Sequence, residues 1–244
     1  MKAWGITDKG RVRQQNQDAY AIRLFEDGGR AALVVCDGMG GARAGNVASS
    51  LAVETFLASL EPALVPGVSA EQVSDIAVAA VNRANAAVNE KAGLSDECKG
   101  MGTTLVSAVI TGSQAVIVNV GDSRAYRITP GGIQRITKDH SLVEDMVERG
   151  DLTPEEARLH PSKNLITRAL GTEPRVECDS FVVSLESGDF LLLCSDGLIN
   201  QVRDQEILYE VLHGEDLPGC CGRLLDIALS RGAPDNVTVV LLQL

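Results

Sequence analysis

The amino-acid sequence predicts an α+β fold: a central antiparallel β-sandwich of two sheets flanked by pairs of helices, in four layers ordered α-β-β-α. Three features point there. Apolar runs of strand length are joined by short glycine-containing turns, as in antiparallel hairpins. Helical periodicities come two in a row instead of alternating with single strands, which excludes a parallel sheet built from βαβ units. Hydrophobic residues make up 45% of the 244 but aromatics only 3%, so the core is built from Val, Leu, Ile and Ala. A chain of this length buries roughly 70–75% of its unfolded surface, enough to fold without disulfides.

Residues 4–7 read as a strand, ended by the turn Asp8-Lys9-Gly10. A polar stretch leads to a second strand at 19–22, and Glu26-Asp27-Gly28-Gly29 turns the chain into a buried strand at 31–36. The glycine-rich stretch Asp37-Gly38-Met39-Gly40-Gly41 is expected to be a loop. The first helix carries Val47, Leu51, Thr55 and Ala58 near one stripe, widened by Ala48, Ala52, Phe56, Leu57 and Leu60, and ends at Glu61-Pro62. In the second, Ser69 and Gln72 form a capping box, and Val73, Ile76, Ala77, Ala80, Val81, Ala84 and Val88 repeat at helical spacing.

Two hairpins follow: 103–110 with 115–120 around Thr111-Gly112-Ser113, and 125–128 with 133–136 around Pro130-Gly131-Gly132. Residues 142–149 are helical. Thr153-Pro154-Glu155-Glu156 opens another helix with a capping box and proline at the first helical position. Residues 181–185 and 190–194 read as strands around Ser187-Gly188-Asp189, 204–212 and 217–230 as helices, and 237–244 as the last strand. No linker, low-complexity tract or internal repeat interrupts the pattern, so 1–244 is expected to form one domain.

Composition excludes several function classes. Net charge is −11 and no basic patch or stripe occurs, so nucleic acid is not a partner. The six cysteines show no C-x-x-C spacing, and Cys36 and Cys194 sit in apolar runs as small hydrophobes. None of His140, His160 and His213 is spaced to join a cysteine, which argues against zinc. Met1-Lys2-Ala3-Trp4-Gly5 leads into polar residues without a secretory signal, and no run is long enough to span a membrane. The expected setting is the reducing cytoplasm, away from membranes.

The chemistry lies in aspartates at strand ends. Asp37 follows Val34-Val35-Cys36, Asp122 follows 116–120, Asp196 follows 191–195, and Asp235 opens the last apolar run. A lone Asp-Gly is usually only a turn, and Asp8, Asp27 and Asp189 are read as such. Carboxylates converging at the mouths of buried strands repel one another unless a cation sits between them. With Asp18 they make five oxygen donors unaccompanied by His or Cys, a set suited to Mg²⁺ or Mn²⁺.

The ordered motifs resemble the metal-dependent serine/threonine protein phosphatases of type 2C, in their bacterial form. The resemblance spans nearly the whole chain. Thr7-Asp8-Lys9-Gly10 through Arg13, Asn16, Asp18 and Ala19 is similar to the family's N-terminal signature, and Asp37-Gly38-Met39-Gly40-Gly41 to its metal loop. Gly100-Met101-Gly102-Thr103-Thr104, Gly121-Asp122-Ser123-Arg124-Ala125, Asp139-His140-Ser141, Thr167-Arg168-Ala169-Leu170-Gly171, Ser195-Asp196-Gly197 and Asp235-Asn236-Val237-Thr238 follow in the family's order.

That resemblance implies hydrolysis of phosphoserine and phosphothreonine in proteins by a water activated at a binuclear Mn²⁺/Mg²⁺ centre. It implies Asp37 as the bridging carboxylate, the Gly38 carbonyl as a ligand, Asp196 and Asp235 on the first ion, and Asp18 on the side of the second. A third, weaker ion is implied at Asp122 and Asp196. Arg13 is implied as the phosphate clamp, which needs the planar two-point donor that only arginine supplies. Where many eukaryotic members carry histidine this chain has Met39, which cannot donate a proton, so metal-held water is the preferred acid. Gln17 replaces an acidic residue common before Asp18. The segment at about 142–164 is implied as a flap that selects substrates. The expected partners are phosphorylated proteins, among them a Ser/Thr kinase and its substrates, with the chain acting as a monomer. The alternative is a catalytically inactive phosphoprotein-binding regulator of the same fold, which would be expected to have lost metal carboxylates.

Overall fold

The computed structural model describes residues 1–40, 44–94 and 96–244, so Gly41 of the glycine-rich motif lies outside the described residues. Two antiparallel sheets form the centre. One has the strand order β1 (Lys2–Asp8), β11 (Val237–Gln243), β10 (Phe190–Cys194), β7 (Arg124–Thr129), β8 (Gly132–Arg135). The other runs β2 (Asp18–Leu24), β3 (Arg30–Met39), β5 (Leu105–Thr111), β6 (Gln114–Val120), β9 (Asp179–Ser184), and short β4 (Gly102–Thr103) pairs with the end of β3.

Successive side chains of a strand point to opposite faces, and here both faces are covered. In β3, Leu33 and Val35 join Leu191, Leu193, Val240 and Leu242 between the sheets. Their neighbours Ala32, Val34 and Cys36 face the other way, onto α1 (Ala44–Leu60) and α2 (Ala70–Leu94). Likewise Leu192 and Cys194 turn outward onto α6 (Asp204–His213) and α7 (Leu217–Ser230) through Ile207, Cys221 and Leu224. Two-sided burial is why these strands read as continuous apolar runs instead of alternating ones. Three apolar layers between four structural layers give the expected α-β-β-α sandwich. Helices α3 (Leu142–Glu148) and α4 (Pro154–Leu159) pack on each other beside it.

Both capping boxes form. Ser69 N–H donates to Gln72 Oε1 at 2.9 Å and Gln72 N–H to Ser69 Oγ at 3.3 Å. The corresponding bonds at Thr153 and Glu156 are 2.8 and 3.2 Å.

Four expectations are corrected. Strand β3 continues through Asp37, Gly38 and Met39 because Gly38 and Met39 pair with Thr103 and Gly102, so Asp37 is a strand residue and not a loop residue. Residues 181–185 and 190–194 are not a hairpin: β9 is an edge strand on β6, whereas β10 is buried between β7 and β11 in the other sheet. The buried stripe of α1 is centred on Ala48, Ala52 and Phe56, while Leu51 is half-buried and Ala58 exposed. Small alanines there let the helix approach the sheet. Asp189 is more than a turn residue: its Oδ2 accepts from Arg127 Nε and Nη2 at 2.9 and 2.6 Å and from the Glu186 N–H at 3.0 Å.

Candidate metal centre

Topology brings the five aspartates to one edge of the sandwich. Strands β3 and β6 are both antiparallel to β5 and so run in the same direction, placing Asp37 and Asp122 at the same end. Strand β2 starts at that end, with Asp18 directly opposite Asp37 in the ladder. In the other sheet β10 ends where β11 begins, which sets Asp196 beside Asp235. A cleft of about 210 Å³ opens between the sheets and is lined by Asp37, Asp122, Asp196 and Asp235 with Arg13, Gly38 and Met39. Asp18 is not on its surface; it lies behind, in the ladder with Asp37.

Asp37 is held by its backbone. Its N–H donates to Thr104 Oγ1 at 2.9 Å, and its carbonyl accepts from the Thr104 N–H and the Thr103 hydroxyl, each at 2.9 Å. Thr104 Oγ1 also shares a 2.7 Å hydrogen bond with Ser123 Oγ, next to Asp122. The two threonines therefore position the metal loop as well as packing. Gly38 is required by close approach: a Cβ there would lie 2.1 Å from the Gly45 carbonyl oxygen.

Asp196 starts α5 (Asp196–Ile199), a short helix that sequence reading missed because four residues carry no periodicity. Its Oδ2 accepts from Asn200 Nδ2 at 3.0 Å. Ser195, at the N-cap, does not cap the helix; its hydroxyl donates to Asp18 Oδ2 at 2.7 Å and accepts from the Thr238 N–H at 3.0 Å. A Cβ on Gly197 would lie 1.9 Å from the Asn236 carbonyl oxygen, so only glycine lets the Asp196 turn seat against the Asp235 turn.

Asp18 Oδ2 also ends a directed chain of donors. Asn16 Nδ2 donates to Thr7 Oγ1 at 2.8 Å, Thr7 shares a 2.7 Å bond with Thr238 Oγ1, and Thr238 donates to Asp18 Oδ2 at 2.6 Å. Because the last link fixes the Thr238 proton, Thr7 must be the donor in the middle one. Each hydroxyl thus gives one bond and takes one, and every proton points toward the carboxylate. Asn236 is pinned elsewhere: its amide donates to the Lys9 and Gln15 carbonyls and accepts from the Gln17 N–H, tying the N-terminal loop to β11. Its backbone, not its side chain, touches the neighbouring carboxylate: the Asn236 N–H donates to Asp235 Oδ1 at 2.9 Å. His140 accepts from the Gly121 N–H through Nδ1 at 3.1 Å and donates its own N–H to the Gly121 carbonyl at 2.9 Å, clamping the residue before Asp122. That bond leaves the ring proton on Nε2, which faces Asp179 Oδ2 at 3.2 Å. Burial lowers the imidazole pKa, and Asp179 pulls it back up.

The cleft is electrostatically crowded. Desolvation raises Asp37 well above the ordinary carboxylate range, reinforced by Asp18, Asp196, Asp122 and Asp235. Asp122 is raised well above it by desolvation and by Asp196 and Asp139. Asp18 is pushed up to about 7 by burial, although the Thr238 and Ser195 hydroxyls oppose the shift. Asp196 is pushed up to about 6 by burial and by Asp235. Arg13 Nη2 donates to Asp235 Oδ2 at 2.7 Å, so the guanidinium expected on phosphate rests on a carboxylate here.

The donor set fits a hard divalent cation. One buried oxygen of Asp18 and one of Asp196 have no hydrogen-bond partner, a costly state for a carboxylate unless a cation completes it. The four carboxylates and the Gly38 carbonyl at the cleft offer oxygen, the chemistry of Mg²⁺ and Mn²⁺. Among the described residues, no three His, Cys, Asp or Glu side chains are closed into a ready-made ion cage. The carboxylates ring the cleft while Asp235 holds Arg13 and Asp196 holds Asn200.

Residues 8–215 match the family described as protein phosphatase 2C. The chain belongs to that family. A member named serine/threonine phosphatase stp, from Listeria monocytogenes, is 38% identical over 237 residues, spanning 97% of this chain and 93% of its own. The solved structure of the Mycobacterium tuberculosis serine/threonine phosphatase PstP superposes with a TM-score of 0.90 at 37% identity, covering 100% of this chain and 98% of that one. A structure of the PstP catalytic domain in complex with two manganese ions superposes with a TM-score of 0.84 at 36% identity, covering 98% and 96%.

Proposed function

We propose that this protein is a metal-dependent serine/threonine protein phosphatase that hydrolyses phosphoserine and phosphothreonine in other proteins. The observation that carries the reading is the meeting of aspartates from several separate strand ends at one cleft, in a chain of the protein phosphatase 2C family. Asp37, the Gly38 carbonyl, Asp196 and Asp235 would hold the ion pair together with Asp18, and Asp122 with Asp196 a third, weaker ion. Bound there, two divalent cations supply an activated water for in-line attack and offset charge on the phosphoryl oxygens.

The chain's own residues do the rest. Arg13 is 54% exposed at its side chain and can swing from Asp235 to the phosphoryl group, binding two oxygens at once. The same exchange frees Asp235 as a ligand. Thr104, Ser123 and the His140 clamp keep Asp37 and Asp122 from moving apart, and the Thr238 and Ser195 hydroxyls favour the ionised form of Asp18 against the effect of burial. Met39 lines the cleft and has no proton to give, so the leaving alcohol takes its proton from water.

The 142–164 segment is assigned as a flap, supported by Asn164 in the cleft wall. The kinase-opposing role, a monomeric state and a cytoplasmic setting complete the reading. Six free thiols are in keeping with the last. Among the described residues no helix is long and apolar enough to cross a membrane.

The test is turnover of p-nitrophenyl phosphate and of phosphoserine and phosphothreonine peptides with added Mn²⁺. Asp37→Ala should abolish it with the circular dichroism spectrum unchanged. Absence of wild-type turnover with Mn²⁺ bound would favour the inactive phosphoprotein-binding regulator instead.

A further inference from the structure

A groove of about 460 Å³ continues from the catalytic cleft, the two sharing Asp122, Asp196 and Asn164 in their walls. It runs between the α3–α4 segment and α5. Val143, Val147, Ala157 and Ile199 supply its apolar surface. Its volume lies in the range of sites that enclose small ligands.

Its charges are not equivalent. Arg124 is neutralised by Asp139, with bonds of 2.9 and 2.6 Å from Nε and Nη2. Arg135 pairs with Glu144. Asp204 accepts from the Tyr126 hydroxyl at 3.3 Å. Arg158 is different: its Nη2 donates at 3.2 Å to the Ile199 carbonyl across the groove, yet among the described residues no carboxylate pairs with it. Lys163, half-buried and next to Asn164, has no ion-pair partner among the described residues either. Arg158 and Lys163 are thus cations outside any ion pair among the described residues, in a groove whose other unpaired charges are Asp204 and, at the mouth shared with the cleft, Asp122 and Asp196, the last within electrostatic reach of Lys163.

We propose that this groove binds the substrate polypeptide beside its phosphorylated residue, and that Arg158 and Lys163 select an acidic side chain there. The inference rests on the phosphatase reading above. Continuity with the cleft names the occupant: a chain whose phosphoresidue sits among the aspartates has its next residues at the groove mouth. Charge complementarity names the side chain, Asp or Glu. The apolar surface packs the neighbouring residues of the same segment. Net charge on the protein as a whole is −11, so acidic substrates are repelled at long range and the preference is local to the groove.

The experiment measures kcat/KM for phosphothreonine peptides carrying one Glu, or Gln in its place, at each of about four positions on either side, a reach of roughly 14 Å of extended chain. The expected result is a preference for Glu over Gln of about fivefold at one or two adjacent positions on one side only, the size of a partly exposed ion pair. Arg158→Glu should reverse it, favouring Lys over Glu at those positions. Lys163→Gln, which removes a charge and breaks no bond, should reduce it. Each ratio is taken within one variant, so a change in overall turnover does not disturb it. No positional preference, or the same preference in both variants, with normal turnover of p-nitrophenyl phosphate by the wild-type protein, overturns the groove assignment alone. No wild-type turnover of p-nitrophenyl phosphate overturns the phosphatase reading and this inference with it.

Discussion

Replacing Asp18 by Asn should make the metal-free protein more stable at neutral pH and less stable in acid. Asp18 is half-buried, with one carboxylate oxygen bonded to two hydroxyls and the other fully buried without a partner. Its carboxyl is raised from the ordinary 3.8 to about 7. A raised carboxylate pKa means the folded state binds the proton more tightly than the unfolded state does. Its burden is therefore absent below the unfolded pKa, grows as pH rises from there, and is complete above the folded pKa. A shift of about three units corresponds to about 4 kcal/mol lost by the folded wild type once Asp18 is fully ionised. Asn keeps the two hydroxyl bonds through its oxygen but turns an unpartnered NH₂ toward the orphan position, at a cost of about 1–3 kcal/mol. The net gain for Asp18→Asn is then roughly 1–3 kcal/mol near pH 8, and near pH 4 the order inverts because only the amide cost remains. Urea unfolding of chelator-treated protein at the two pH values measures this directly. Saturating Mn²⁺ should offset most or all of the pH 8 gain, since an ion bound only by the folded wild type adds about 2.7 kcal/mol at 100 times its dissociation constant. Parallel stability-versus-pH curves for the two proteins would refute the reasoning.

Asp122→Ala should raise the Mn²⁺ concentration needed for half-maximal activity while leaving a tight ion pair, read by calorimetric Mn²⁺ titration; an unchanged titration and activity profile contradicts its assignment. Arg13→Lys should lower kcat/KM roughly 10–100-fold, the worth of a charge-assisted two-point hydrogen bond. Its unfolding midpoint should move little, because the Asp235 pair is largely exposed. Gly197→Ala forces a Cβ to 1.9 Å from the Asn236 carbonyl oxygen. Thermal unfolding should show a loss of at least about 1–3 kcal/mol, and Mn²⁺-dependent turnover should fall because the Asp196 and Asp235 turns are driven apart.

Legibility in the sequence followed the range of the interactions involved. The two capping boxes, the paired helices and the continuous apolar strands depend on neighbours in the chain, and they were readable. Nothing in the sequence marks the roles of Thr104, Ser195 and Thr238, since hydroxyls near a strand end carry no sign of what they will touch. Their partners are Asp37 and Asp18, and Thr238 lies 220 positions from Asp18. The apparent hairpin at 181–194 failed for a related reason: a short turn between two strands does not say whether the second pairs with the first or crosses to another sheet. Asp37 was expected in a loop because glycines follow it, whereas pairing with Gly102 and Thr103 extends its strand.

By itself the sequence determined which residues are chemical: oxygen donors at strand mouths, an arginine suited to phosphate, a methionine where no proton can be given. Only the folded chain decided how they stand. It put Asp18 behind Asp37 and out of the cleft, laid Arg13 on Asp235, and left Arg158 and Lys163 outside any ion pair among the described residues, in a groove that opens onto the site. Composition and spacing are properties of one dimension, while charge pairing and desolvation depend on distances that exist only once two sheets have closed on each other.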